Sequence, residues 1–88
     1  MFGDNQAMID RVLTRFRAAG TKLVAEIVAT DDPKRLADLA HKLKGAARAA
    51  GAVRLGDLAG ALEQSCSAID AAAVSAEWQR VEAALSAA

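Results

Sequence analysis

Apolar residues recur every three or four positions in four successive stretches of this chain, and only short polar or glycine-containing breaks separate them. That spacing puts apolar side chains on one face of a helix. A helix with one apolar face must bury it against its neighbours. Connections of a few residues bring successive helices back antiparallel. The pattern predicts an all-α fold, an antiparallel up-down four-helix bundle, as a single domain over residues 1–88.

The first helix is expected from about Asn5 to Ala29, with Asp4 as its N-cap. Its inward positions are Ile9, Val12, Leu13, Phe16, Leu23, Val24, Ile27 and Val28, and Gly20-Thr21 is a weak point where it can kink. "TDDPKRL" then ends one helix and starts the next. Asp32 accepts hydrogen bonds from the free N–H groups of the new turn, and Pro33 suits the first helical position because its missing N–H costs nothing there. The second helix should run from Pro33 to Ala50 and stop at Gly51. The third spans about Ala52 to Ile69, with Val53, Leu55, Leu58, Leu62, Cys66 and Ile69 inward and Asp70 as a cap beyond it. The fourth runs from about Ala72 to Ala87, with Val74, Trp78, Val81 and Leu85 inward.

A chain of 88 residues buries only about 60% of its unfolded surface, which leaves little mass for a deep substrate pocket. Formal net charge is zero, which argues against a general nucleic-acid binder. The charge is uneven, however. Lys34, Arg35, Lys42, Lys44, Arg48 and Arg54 face a single acid, Asp38, in the middle of the chain, while Arg80 is the lone cation after Gly56. One cysteine, Cys66, cannot close an internal disulfide and suits a reducing compartment. No apolar run approaches the ~20 residues a membrane span needs, and "MFGDNQAM" lacks the pattern of a secretory signal. The expectation is a cytoplasmic protein.

The basic region surrounds the only histidine, in "HKLKGAARAAGA", residues 41–52. With about 100° per residue and His41 at zero, Leu36, Leu39, Leu43, Ala47 and Ala50 fall between roughly 160° and 240°. Lys34, Ala37, Lys44, Gly45 and Arg48 fall within roughly 60° of the histidine. The imidazole should therefore face solvent at mid-helix, with Lys44 and Arg48 on its own side. Gly45 costs a helix interior about 1 kcal/mol relative to Ala, but it leaves room for a bulky group to approach. These features suit a nucleophile for phosphoryl transfer. A neutral ring nitrogen attacks phosphorus in line, and the cations neutralise charge on the equatorial oxygens.

The stretch resembles the signature of histidine-containing phosphotransfer (HPt) domains, H-x-L-K-G-x-x-x-x-x-G-A, matched at His41, Leu43, Lys44, Gly45, Gly51 and Ala52. Leu55, Leu58 and the Leu62-Glu63 pair also stand where that family has Leu and Leu-Glu, and the resemblance covers most of the chain. It implies a phosphorelay carrier that takes a phosphoryl group from a receiver-domain aspartate, or from a kinase, and passes it to a response-regulator receiver. By that resemblance His41 is the phospho-acceptor through Nε2, Lys44 the phosphoryl-stabilising cation and Gly45 the clearance residue. Many members have Ser after this glycine. Ala46 and Ala47 stand there here, and Arg48 compensates. Many members also carry a short extra N-terminal helix. Only "MFGDN" precedes the first long helix here, so Phe2 either covers that end of the bundle or leaves it open.

The partners implied are receiver domains and a sensor or hybrid histidine kinase, with the chain itself a monomer that binds neither nucleic acid nor membrane. A docking face would include Lys34, Ala37 and Lys42 around the histidine, and Gly56, Gly60 and Glu63 on the third helix. For the two glycines the competing reading is close packing against a neighbouring helix. For Glu63 the choices are a bond to the ring N–H of His41, a pairing with a nearby cation, or plain exposure. No His or Cys pair has metal-ligand spacing, and no nucleotide-binding glycine loop is present. No cofactor is therefore expected, no ATP site and no enzyme in the usual sense, and any Mg²⁺ belongs to the receiver's aspartate site. Two other function classes compete: a helical interaction module without phosphotransfer, and a nucleic-acid binder using the Lys34-to-Arg54 patch. The dimerisation helices of histidine kinases also carry such a histidine, but typically followed by an acid and, four residues on, a proline. Lys42 and Ala46 occupy those positions.

Overall fold

The computed structural model describes residues 2–87, and side chains for residues 5–87. It consists of four helices: α1 (Phe2–Ala29), α2 (Pro33–Ala49), α3 (Val53–Ser65) and α4 (Ala68–Ala87). Each packs against its neighbours in the order α1–α2–α3–α4, and α4 closes back on α1. The all-α up-down bundle expected from the periodicity is therefore the fold observed. Among the described residues no helix is long and apolar enough to cross a membrane.

The core draws on every helix. Phe16 and Ile27 from α1, Leu39 and Leu43 from α2, Leu55 and Leu62 from α3, and Val74 and Trp78 from α4 are all buried. Phe16 and Trp78 meet edge to face at 5.4 Å, an arrangement that sets a ring edge against a π face. Gly20 is the seat for the indole. A Cβ added there would stand 2.2 Å from Trp78 Cη2. The expected weak point at Gly20-Thr21 is thus a packing position inside one continuous helix.

The caps explain the boundaries of α2. Asp32 accepts from the backbone N–H of Lys34 at 3.1 Å, and Pro33 occupies the first turn. At the other end Ala52 N–H reaches Ala47 C=O at 2.8 Å and Gly51 N–H reaches Arg48 C=O at 3.2 Å. This pair of bonds ends a helix in a Schellman turn, which needs a left-handed residue. Gly51 supplies it, at φ +79°.

Several expectations require correction. The helix α1 begins at Phe2, so Asp4 is not its N-cap. The burial of Phe2, invoked for the bundle end, lies outside the described residues. The third helix stops at Ser65, four residues before Ile69. Cys66 turns left-handed at φ +50° and caps it, and its side chain packs against the core only partly buried. Ser67, not Asp70, then caps α4 by accepting from Asp70 N–H at 3.1 Å. Ile69 therefore starts a new helix and is 82% exposed. Val53 is 69% exposed at the start of α3, and Ile9, Val12 and Val28 are exposed on α1. For Ile9 and Val12 the reason is length. With 28 residues against 17 in α2, the first turns of α1 run past the turn at Gly51, and the molecule extends 46 Å along one axis against 20 and 18 Å across.

Candidate functional site

The site stands on the outer face of α2 where it meets α3. The apolar stripe of α2, Leu36, Leu39, Ala40, Leu43 and Ala47, is buried, and this rotation turns His41 outward. Its side chain is 67% exposed. The α2–α3 seam is the most extensive helix contact in the bundle, and the small residues Ala40, Ala47, Gly56 and Ala59 on these two helices are buried. Gly56 is buried, and a Cβ there would meet Arg48 Cγ at 3.3 Å. A Cβ on Gly60 would lie 3.4 Å from Lys44 Cδ. Both glycines thus act as beds for the aliphatic stems of the two cations on the histidine's face, as amphipathic side chains pack their stems and free their heads. This corrects the expectation of a docking surface at Gly56, which is covered. Gly60 is partly covered.

Glu63 on α3 joins the site together. One carboxylate oxygen lies 2.8 Å from His41 Nδ1 and the other 2.5 Å from Lys44 Nζ. Both bonds expected as alternatives for this residue are present at once. The Glu63 carboxyl is held below the usual carboxylate range, first by the hydrogen bond from Lys44. Partial burial opposes this, and the bond from His41 and the charge on Lys44 reinforce it. An ionised carboxylate only accepts, so the hydrogen of the ring resides on Nδ1. In the neutral ring the other nitrogen, Nε2, then keeps its lone pair.

The remaining residues of the expected set take clear places. Gly45 has no neighbouring atom within 4 Å of where a Cβ would stand, so the helix surface beside His41 is open. Lys34 and Lys42 are exposed, and Ala37 is half-buried. Arg48 is exposed on the α3 side of the face. Among the described residues none of these three cations forms an ion pair, whereas Lys44 is engaged by Glu63. Sequence reasoning did not find that Glu63 bonds ring and ammonium together. The bond depends on the α2–α3 register, and the only signal for it was the Leu62-Glu63 pair.

The arrangement brings together an exposed imidazole anchored through Nδ1 to a carboxylate, an adjacent ammonium and an uncrowded approach. A family model described as Hpt domain matches residues 6–88. No curated protein and no solved structure matches the chain. Hpt domains act in histidine phosphotransfer within two-component phosphorelays, where they interact with receiver domains and histidine kinases and carry the phosphoryl group without a catalytic site of their own. With essentially its whole length matched, this chain belongs to the Hpt domain family.

Proposed function

We propose that His41 is the phospho-acceptor, taking a phosphoryl group on Nε2 from a receiver-domain aspartate or a kinase and passing it to a response-regulator receiver. The observation that carries this reading is the bond between His41 Nδ1 and Glu63. It directs the hydrogen to one nitrogen and leaves the solvent-facing one nucleophilic. Lys44 stabilises charge on the phosphoryl oxygens, Gly45 gives the incoming aspartate clearance, and Arg48 supplies a second cation where other members have a serine hydroxyl. Preplaced charge of this kind is worth most where charge develops in the transition state.

On this reading the chain is a covalent carrier with no ATP site, and Mg²⁺ belongs to the receiver's aspartate pocket. It works as a monomer in the cytoplasm, as a single domain over residues 1–88, with Lys34, Ala37 and Lys42 meeting the receiver. The mixed charge, summing to zero, favours a protein partner over nucleic acid. The test is incubation with a panel of receiver domains phosphorylated on aspartate. Wild type gains acid-labile label and His41→Gln does not. Equal labelling of both proteins would remove His41 from the role.

A further inference from the structure

The bond from Nδ1 to Glu63 bears on the release of the phosphoryl group as well as its capture. On capture, the Nε2 lone pair forms the N–P bond while the P–O bond of the aspartyl phosphate breaks, and that electron pair leaves with the receiver's carboxylate. No proton leaves the ring, so the product is a phosphorylated imidazolium with its hydrogen still on Nδ1. On release, a receiver carboxylate oxygen forms a new P–O bond and the N–P pair returns to Nε2. The leaving group is neutral imidazole only while Nδ1 keeps its proton. Once that proton is lost, the leaving group is an imidazolide anion, and transfer stalls.

We propose that Glu63 is a positioning residue for the onward half of the relay: its carboxylate, 2.8 Å from Nδ1, retains the proton of the phosphorylated ring and keeps it a donor at neutral and mildly alkaline pH. The groups around the ring allow this. From α3 the facing charge is Glu63 itself. From α2 it is Lys44, with Asp38, Lys42 and Arg48 on neighbouring positions of the same helix. Among the described residues α1 and α4 place no charged group within bonding distance of His41 or Glu63. In the unphosphorylated protein Glu63 is shared between the ring and Lys44. A doubly negative phosphoryl group on Nε2 attracts Lys44 more strongly than a carboxylate does. Lys44 moves toward it, and the charge of Glu63 is then left to the cationic ring.

This rests on His41 being the phosphorylated residue, and the experiment separates the two claims. The protein is phosphorylated with phosphoramidate, and loss of the phosphohistidine ³¹P signal is followed across pH. Hydrolysis, like transfer, goes through the protonated ring. At about pH 8.5, roughly two units above the ordinary imidazole value, phosphorylated Glu63→Gln should outlive wild type on the order of tenfold, and near pH 5.5 the two should decay alike. Glu63→Asp, which keeps the charge, should move the profile back toward wild type. Superimposable profiles for wild type and Glu63→Gln, or a Glu63→Asp profile identical to that of Glu63→Gln, would overturn the proposal. A ¹⁵N titration of the wild-type phosphorylated ring gives the same answer without a variant. Loss of the Nδ1 proton where a free phosphoimidazole loses it contradicts the proposal, and retention to higher pH supports it. A phosphoryl group found on a residue other than His41 would instead refute the function on which the inference stands.

Discussion

Lys44 and Glu63 form the shortest ion pair among the described residues, with Nζ 2.5 Å from Oε1 across the α2–α3 seam. The ammonium is therefore delivered to the histidine's face by a partner on another helix. Replacing Lys44 with Ala should slow phosphotransfer about tenfold or more, since it removes a preplaced charge from the transition state. Far-UV circular dichroism should not change, because partly exposed ion pairs contribute little to stability. A variant with normal transfer kinetics and a melting point many degrees lower would show that Lys44 is structural.

The same pair dictates a pH dependence. The Glu63 carboxyl sits below its ordinary value of 4.5, so the folded state binds its proton more weakly than the unfolded chain does. Its contribution to stability is present above that ordinary value and disappears as pH falls through the lower folded value. A ¹³C titration of the Glu63 carboxyl should give a midpoint under 4.5 that rises in Lys44→Ala. A midpoint unmoved by the substitution would rule out the Lys44 hydrogen bond as its main cause.

Gly45 and Gly20 predict opposite outcomes for the same substitution. Nothing lies within 4 Å of a Cβ at Gly45, so Gly45→Ala should stabilise the bundle by about 1 kcal/mol through helix propensity. A large residue such as Leu there should slow transfer from a receiver with no loss of melting temperature. Unchanged kinetics for Gly45→Leu would dispose of the clearance role.

At Gly20 a Cβ would stand 2.2, 2.5 and 2.8 Å from three atoms of the Trp78 ring. Overpacking of this kind costs about 1–3 kcal/mol, more than the propensity gain. Gly20→Ala should lower the melting temperature by roughly 4–8 °C per kcal/mol lost and alter Trp78 fluorescence. A melt at or above that of wild type would mean the indole has room to move aside.

The outward face of α2 was legible in the sequence because a long, strongly periodic helix has only one way to bury Leu36, Leu39 and Leu43, and His41 lies opposite. The end of α3 was not. No glycine or proline marks Cys66, and the apolar series continues through Ile69 as though one helix ran on. The break is made by a left-handed cysteine and by Ser67 bonding to Asp70 N–H, both local choices that periodicity does not report. Ile9 and Val12 have the spacing of a buried face but lie where α1 outruns its neighbours, and relative helix lengths are set by tertiary packing. Glu63 and Gly20 depend on which residue of another helix stands opposite. The Lys44 stem above Gly60 and the Trp78 ring against Gly20 become visible only once the helices are in register.

The central claim concerns one nitrogen atom, and ¹⁵N–³¹P correlation on ¹⁵N-histidine-labelled protein, phosphorylated by its receiver, tests it directly. The geometry at Glu63 predicts a single N–P coupling at His41 Nε2, with the hydrogen on Nδ1. A phosphoryl group on Nδ1, or no coupling to His41 at all in protein that carries label, would contradict it.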